Sequence, residues 1–117
     1  NDTLARFEQL VKDYFAQRKY QQLGQPRVEY FAQALNLSPS YLSDLMKNHT
    51  GKPTLAHLHD RLLEEAKILL AQPGYTISQV AYDLGFEYPQ YFSRFFKNKT
   101  SISPTEYRNS GKSVRPT

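Results

Sequence analysis

The stretch ISQVAYDLGFEYPQYFSRFFKNKT, at residues 77–100, decides the fold because the chain contains a second copy of it. Its first ten residues match VEYFAQALNL at 28–37 with an offset of 49, and its last ten match YLSDLMKNHT at 41–50 with an offset of 50. The change of offset places one extra residue before Pro89, which then aligns with Pro39. Such self-similarity indicates a supersecondary unit that occurs twice.

Each copy has the pattern of two short helices joined by a tight turn. The first helix carries a small inward residue, Ala32 or Ala81, which lets a second helix approach closely. Asn36 or Gly85 follows the last core leucine and tolerates a positive φ, so the chain can leave the helix through a left-handed residue. The sequence therefore predicts two helix-turn-helix units, although the turn alone favours DNA binding only weakly.

The second helix of each unit has a core stripe and an opposite, polar face. At 100° per residue, the core stripes are Leu42, Leu45 and Met46 in one unit and Phe92, Phe95 and Phe96 in the other. The polar faces carry Ser40, Ser43, Asp44 and Lys47, and Gln90, Ser93, Arg94 and Lys97. Arg can pair with guanine, Gln with adenine, and Asp can accept from cytosine. A solvated face is the plainer interpretation of either helix alone, but the recurrence of a polar face in the same register favours base reading. Because the two units are joined in tandem and their faces differ, the predicted site is asymmetric.

The remaining chain is predicted to be all-α, with about seven helices, since apolar residues recur at helical spacing and no segment alternates as a strand does. One long helix from Thr54 to about Ala71 spans roughly 27 Å. Together with the lateral placement of the two units, a helix of this length predicts that the recognition helices lie about one DNA turn apart, roughly 34 Å. They would then enter two successive segments of the major groove. Two capping-box spacings fix helix starts, and residues 21–25 are expected to form a loop. The capping pairs are Thr76 with Gln79 and Ser103 with Glu106.

Four divisions of the chain follow from this pattern. The predicted bounds are an N-terminal helix with the first helix-turn-helix at 1–53, a linker helix at 54–72, the second helix-turn-helix with a final short helix at 73–109, and a disordered tail at 110–117. The chain begins at Asn1 without an initiator Met, which predicts an additional N-terminal sensor or dimerisation domain in the full-length protein.

The charge of the chain is unevenly distributed. The whole chain carries +4, and residues 89–117 hold six Lys or Arg and one acid, which gives 6 − 1 = +5 and leaves −1 for the rest. A basic segment is typical of a phosphate-binding surface, although a solvated tail has the same composition. The absence of Cys and of any long apolar run argues against a disulfide scaffold and a membrane protein, and favours a cytoplasmic one.

The chain resembles the DNA-binding domain of bacterial AraC/XylS-type transcription regulators over residues 7–108, most specifically in the second unit. The residues that carry it are Ile77, Val80, Ala81, Gly85, Phe86, Phe92, Phe96, Lys97, Pro104, Tyr107 and Arg108. The resemblance implies two helix-turn-helix units joined by a long helix, which bind double-stranded DNA at a promoter. RNA polymerase is a further candidate partner, because activators of this family contact it.

The resemblance places the base-reading positions on the polar faces already identified. They are Ser40, Ser43, Asp44, Gln90, Ser93 and Arg94. Phosphate contacts are expected from cationic side chains and from helix amino ends, where N–H groups point outward. These residues are Ser38, Lys47, Lys52, Thr76, Lys97 and Lys99.

Three residues depart from the family pattern. Ser101 stands where Gly51 stands in the first unit, so the second recognition helix is expected to end differently or with mild strain. Tyr88 replaces the usual small polar residue before that helix. Asp44 repels phosphate unless it meets a cytosine or a neighbouring base-contacting group, so the first unit is expected to bind DNA more weakly than the second.

Other functions have less support in the sequence. His49, His57 and His59 lack metal-ligand spacing and no catalytic constellation is visible, so we expect no enzyme activity, metal or cofactor. Five tyrosines are expected to pack in buried or half-buried positions and not to stack on RNA bases: Tyr30, Tyr41, Tyr82, Tyr91 and Tyr107. The main alternative is a helical protein-interaction module that does not read bases.

Overall fold

The computed structural model describes residues 2–113, and these form eight α-helices without a strand. The helices are α1 (Asp2–Ala16), α2 (Tyr20–Leu23), α3 (Val28–Ala34), α4 (Pro39–Thr50), α5 (Thr54–Leu70), α6 (Ile77–Asp83), α7 (Pro89–Thr100) and α8 (Pro104–Ser113). The predicted all-α class is confirmed.

The short helix α2 corrects the predicted loop at residues 21–25. Arg18 has a φ of 53°, which breaks the chain direction after α1, and Tyr20 then turns inward and is completely buried. The ring of Tyr20 lies 5.7 Å from that of Phe15, and its carbonyl accepts from the Gly24 N–H at 2.9 Å. Burial of one aromatic ring therefore folds a segment whose polar composition had predicted a loop.

The chain forms two compact units, one ending at Leu62 and the other beginning at Leu63. The long helix predicted from Thr54 is present as the single helix α5, and the division between the units falls inside it. The predicted boundaries at 1–53, 54–72 and 73–109 stay a prediction, as does the separation of the recognition helices by one DNA turn.

Aromatic rings dominate the core of the first unit. Phe31 of α3 is completely buried, and its ring lies 5.9 Å from that of Phe7 and 5.4 Å from that of Tyr14 in α1. Ala32 is 1% exposed, as expected of the small residue where two helices approach, and Met46 of α4 is buried with it. Each fully buried large apolar side chain contributes about 1.5–3 kcal/mol to folding.

The second unit repeats this arrangement around phenylalanines. Ala81 of α6 is completely buried, as are Phe92 and Phe96 of α7. Arg108 of α8 donates from Nε to the carbonyl of Leu70 at 2.8 Å, which places a cation at the carboxyl end of α5, where the helix dipole favours one. This bond ties the last helix to the end of α5.

The two helix-turn-helix turns have the same hydrogen bonds. Asn36 has a φ of 58° and Gly85 a φ of 89°, which confirms the predicted left-handed residue in each unit. The N–H after that residue reaches five residues back, from Leu37 to Ala32 at 2.9 Å and from Phe86 to Ala81 at 3.0 Å. This is the bond of a Schellman helix end, so one local rule closes both turns.

Both predicted capping boxes are present. The Thr76 N–H donates to Gln79 Oε1 at 2.8 Å, and the Gln79 N–H donates to Thr76 Oγ at 3.0 Å. Ser103 and Glu106 make the same reciprocal pair at 2.8 and 3.0 Å. Two N–H groups at the start of α6, and two at the start of α8, are therefore satisfied.

The capping box of α8 is expected to weaken in acid. The backbone N–H of Ser103, its hydroxyl and then the charge of Lys97 hold the pKa of Glu106 below its ordinary value of 4.5. Because the folded-state pKa is lowered, this contribution to stability is complete above pH 4.5 and is lost as pH falls through the folded-state value. Glu106→Gln keeps an amide oxygen for the cap, as Gln79 does in α6. The stability advantage of the native chain over Glu106→Gln in urea titrations should therefore shrink below pH 4.5, and an advantage independent of pH would contradict this assignment.

The two recognition helices end in left-handed residues of different type. Gly51 has a φ of 83° and Ser101 a φ of 71°, and each N–H donates four residues back, to the carbonyl of Lys47 or of Lys97. The two helices therefore end in the same conformation, and since a left-handed residue with a Cβ is less favourable than glycine, mild strain at Ser101 stays a prediction.

Replacement of this serine tests the strain directly. Ser101→Gly is expected to raise the free energy of unfolding by about 0.5–1 kcal/mol, because glycine adopts a positive φ without steric cost. The matched change Gly51→Ser should lower it, and since a Cβ at Gly51 would meet no atom within 4 Å, that loss would be conformational. Urea denaturation measures both, and a destabilised Ser101→Gly protein would contradict the strain.

The last described helix enters the segment 110–117 that was predicted to be a disordered tail. Helix α8 continues through the first four residues of that segment to Ser113, and residues 114–117 lie outside the described part of the chain. Once a helix has begun, each further residue adds one backbone hydrogen bond and only that residue has to be fixed. This favours the extension of α8 beyond the predicted end of the final helix.

Candidate DNA interface

Helix α4 presents two of its three predicted base-reading residues to solvent. Ser40 and Asp44 are exposed, whereas Ser43 is half-buried. The hydroxyl of Ser43 lies 3.4 Å from Oγ of Thr54, which is completely buried at the start of α5. Ser43 therefore lies at the margin of the polar face, and its hydroxyl already has a partner within the unit.

Helix α7 has the same arrangement with different chemistry. Gln90 and Arg94 are exposed and Ser93 is half-buried. The guanidinium carbon of Arg94 lies 5.8 Å from the ring centre of Tyr91, which is 47% exposed. The face of α7 thus offers an amide and a cation where α4 offers a hydroxyl and a carboxylate.

The predicted phosphate-binding lysines differ in their local partners. Lys47, Lys97 and Lys99 are exposed and lie near the carboxyl ends of α4 and α7. Lys52 is also exposed, but its Nζ lies 2.8 Å from the carboxylate of Asp60. A phosphate at Lys52 would compete with that carboxylate for the ammonium group.

Phosphate contacts were predicted at two helix amino ends, at Ser38 and Thr76, and both side chains cap their helices. The Ser38 hydroxyl accepts from the Tyr41 N–H at 3.1 Å, and the backbone and hydroxyl of Thr76 are engaged with Gln79. These side chains fix the ends of α4 and α6, so any phosphate contact there falls to N–H groups that the caps leave unbonded.

Three of the five tyrosines are more exposed than predicted. Tyr30 and Tyr107 are half-buried as predicted, but Tyr41, Tyr82 and Tyr91 are 57%, 57% and 47% exposed. The burial predicted for these three is wrong. Tyr41 and Tyr91 occupy the same position in the two repeats, one residue before the buried Leu42 or Phe92, and that helical phase was the available signal.

The described part of the chain contains neither a cluster of metal ligands nor a membrane-spanning helix. Among residues 2–113, no three His, Cys, Asp or Glu side chains come together as metal ligands would. The Nε2 atom of His57 instead lies 2.7 Å from the Thr50 hydroxyl. None of the described helices is long and apolar enough to cross a membrane.

A family model described as a helix-turn-helix domain matches residues 31–110, which include both turns and both recognition helices. The arabinose operon regulatory protein of Escherichia coli (strain K12) is 34% identical over 100 residues, covering 86% of this chain. The chain belongs to the AraC/XylS-type helix-turn-helix family. It is accordingly a DNA-binding domain of the kind found in transcription regulators.

A second arabinose operon regulator is also similar in sequence to this chain. The arabinose operon regulatory protein of Salmonella typhimurium is 40% identical over 77 residues, covering 66% of this chain. The chain spans 32% of the Escherichia coli protein and 27% of the Salmonella one. The matched region is therefore under a third of each regulator.

Solved structures confirm the AraC-type fold. The C-terminal domain of AraT, a response regulator from Geobacillus stearothermophilus, superimposes with a TM-score of 0.78 at 29% identity, covering 94% of this chain and 86% of that one. The DNA-binding domain of AdpA, solved in complex with a target DNA, gives a TM-score of 0.69 at 27% identity, covering 80% and 84%.

Proposed function

We propose that this domain positions a bacterial transcription regulator on an asymmetric duplex site by inserting α4 and α7 into successive segments of the major groove. The observation that carries the proposal is the repetition of one turn geometry with two exposed helix faces of different chemistry. A palindromic site would call for identical faces, whereas these carry Asp44 in one unit and Arg94 in the other.

The second unit supplies the stronger base contacts. Arg94 can donate two hydrogen bonds to guanine O6 and N7, and Gln90 can pair with adenine N6 and N7. Both are exposed on the same helix, with Ser93 between them as a shorter donor. Lys97 and Lys99 lie further along α7, where they can neutralise phosphates on the flanks of the groove.

The first unit adds selectivity and less affinity. Asp44 can accept from cytosine N4, but DNA phosphates repel its charge at every sequence, so the carboxylate favours binding only where a cytosine offsets that repulsion. Lys47 lies on the same helix and offsets part of this repulsion. Ser40 is exposed and bonds to either kind of base edge, whereas Ser43 has to leave Thr54 to do so.

We further propose that the full-length regulator contains another domain and acts through a partner protein. An N-terminal sensor or dimerisation domain completes it, since the chain covers about a third of its Escherichia coli relative. RNA polymerase is the partner through which an activator would act at the promoter. The protein works in the cytoplasm, where the DNA is, and it has no enzyme activity and no cofactor.

Selection from random duplex DNA tests the proposal. The best sequence is then titrated against a scrambled one at several salt concentrations. Two enriched motifs about one helical turn apart, bound at least about 10³-fold more tightly than the scrambled duplex and weakened by salt, are the expected result. One enriched motif would restrict base reading to α7, and no enrichment would favour a protein-interaction module instead.

A further inference from the structure

Three side chains at every third position form a line across the start of α7. The rings of Tyr88 and Tyr91 meet edge to face, with centroids 5.4 Å apart and planes at 86°. The guanidinium carbon of Arg94 then lies 5.8 Å from the ring centre of Tyr91. Both rings are close to half exposed, at 46% and 47%, so they contribute little to the core.

We propose that Tyr88 and Tyr91 are positioning residues that hold the Arg94 guanidinium ready for guanine and so determine specificity at the base pair that Arg94 reads. We call Tyr88, Tyr91 and Arg94 the aromatic ladder. This inference rests on the proposed function, because it names the residues behind one of its base contacts.

The chemistry of the ladder suits a base-reading arginine. A guanidinium is attracted to the face of an aromatic ring, and an arginine held in this way loses less conformational freedom when it binds. The N–H donors of the guanidinium lie in its own plane. Attraction to the Tyr91 ring therefore restricts the side chain without using the donors that guanine requires.

The start of α7 is built for this contact at the expense of a cap. Tyr88 occupies the N-cap position and makes no side-chain hydrogen bond to the helix, whereas Ser38 caps α4 through the Tyr41 N–H. Residues with oxygen side chains are strongly preferred at this position. The ring contact with Tyr91 is what Tyr88 makes in place of a cap.

The first unit shows what the aromatic ladder adds. It has Ser38, Tyr41 and Asp44 at the three equivalent positions, so it keeps a tyrosine but lacks both the supporting ring and the cation. A carboxylate is not attracted to the negative face of a ring. The aromatic ladder therefore belongs to the unit with the arginine, and Tyr41 serves as its matched control.

The experiment measures base preference, not affinity alone. The base pair that Arg94 reads is first identified as the one at which Arg94→Ala loses its preference for guanine. The selected duplex and the three duplexes that carry the other base pairs at this position are then titrated with the native protein and with each variant. Tyr91→Leu removes the cation–π contact and is expected to lower the preference for guanine about two- to five-fold. Tyr88→Ser removes the ring that supports Tyr91 and is expected to lower the preference in the same direction. Tyr91→Phe, which keeps the ring face, and Tyr41→Leu should retain the native preference.

Thermal unfolding separates positioning from folding. Tyr88→Ser restores an N-cap and should raise the Tm while it lowers the preference for guanine, a combination that a structural role does not produce. A native preference in either Tyr88→Ser or Tyr91→Leu would overturn the inference, as would an equal loss of affinity for all four base pairs. In each of these cases the selected motif and the Arg94→Ala effect would still stand, whereas failure to select any motif would remove both proposals together.

Discussion

Phe96→Ala is expected to lower the free energy of unfolding of the second unit by about 3–5 kcal/mol, the cost of removing a ring from a closed core. Phe96 is completely buried in α7, and its ring lies 6.0 Å from that of Phe92 and 5.4 Å from that of Tyr107 in α8. The same side chain thus holds the recognition helix and the last helix in one core. Since small domains are stable by only about 5–15 kcal/mol, this loss should remove a large share of the stability of the second unit.

Urea denaturation followed by circular dichroism measures the change. Phe96→Leu is the matched control, because it keeps most of the apolar volume and should cost less than about 1.5 kcal/mol. Phe95→Ala, at a half-buried position beside Phe96, should also cost less than Phe96→Ala. Equal losses for Phe96→Ala and Phe95→Ala would show that burial does not set the importance of these rings.

The parts of the fold that depend on local chemistry were predictable from the sequence. Asn36 and Gly85 identified both turns because few residues tolerate a left-handed conformation, and the structure places both there. The pairs at Thr76 and Ser103 identified two helix starts because a capping box needs only residues three apart. In each case the partners are neighbours in sequence, so no knowledge of tertiary structure was needed.

The short helix α2 could not be predicted from local chemistry, because it depends on a tertiary contact. The segment after Arg18 is rich in glutamine, and its composition predicted a loop. Tyr20 makes it helical by packing on Phe15, a contact that depends on how α1 ends. Propensity is a weak prior, and a tertiary contact of one ring is enough to override it.

The candidate site divides in the same way. Helical phase correctly placed Ser40, Asp44, Gln90 and Arg94 on exposed faces, because 3.6 residues per turn fix which side chains oppose the core. Phase could not show that the Lys52 ammonium pairs with Asp60, eight residues away in the next helix.

The exposed tyrosines are an intermediate case. Their apolar character suggested burial, while their helical phase pointed outward, and the phase prevailed at Tyr41 and Tyr91. An amphipathic ring tolerates partial exposure because its hydroxyl stays hydrated, so residue type alone decides little for tyrosine.

Arg94→Ala is expected to cost about 1–3 kcal/mol on the selected duplex and to abolish the preference for guanine at one base pair. The reason is geometric, since an exposed guanidinium on the reading face of α7 can make two hydrogen bonds that only guanine accepts in that arrangement. A loss of 1–3 kcal/mol, on removal of these two hydrogen bonds, makes the complex about 5- to 150-fold weaker. On a duplex that already lacks the guanine, the same change should cost much less.

Lys97→Ala is the matched change on the same helix. Lys97 is exposed one turn further along α7, near its carboxyl end, and a lysine bound to phosphate carries no sequence information. Its loss should weaken the selected and scrambled duplexes alike and lower the slope of log affinity against log salt by about one. Titrations of both variants on both duplexes give the comparison. If Arg94→Ala and Lys97→Ala weakened every duplex by the same factor, Arg94 would be a phosphate contact and base reading by α7 would rest on Gln90 and Ser93 alone.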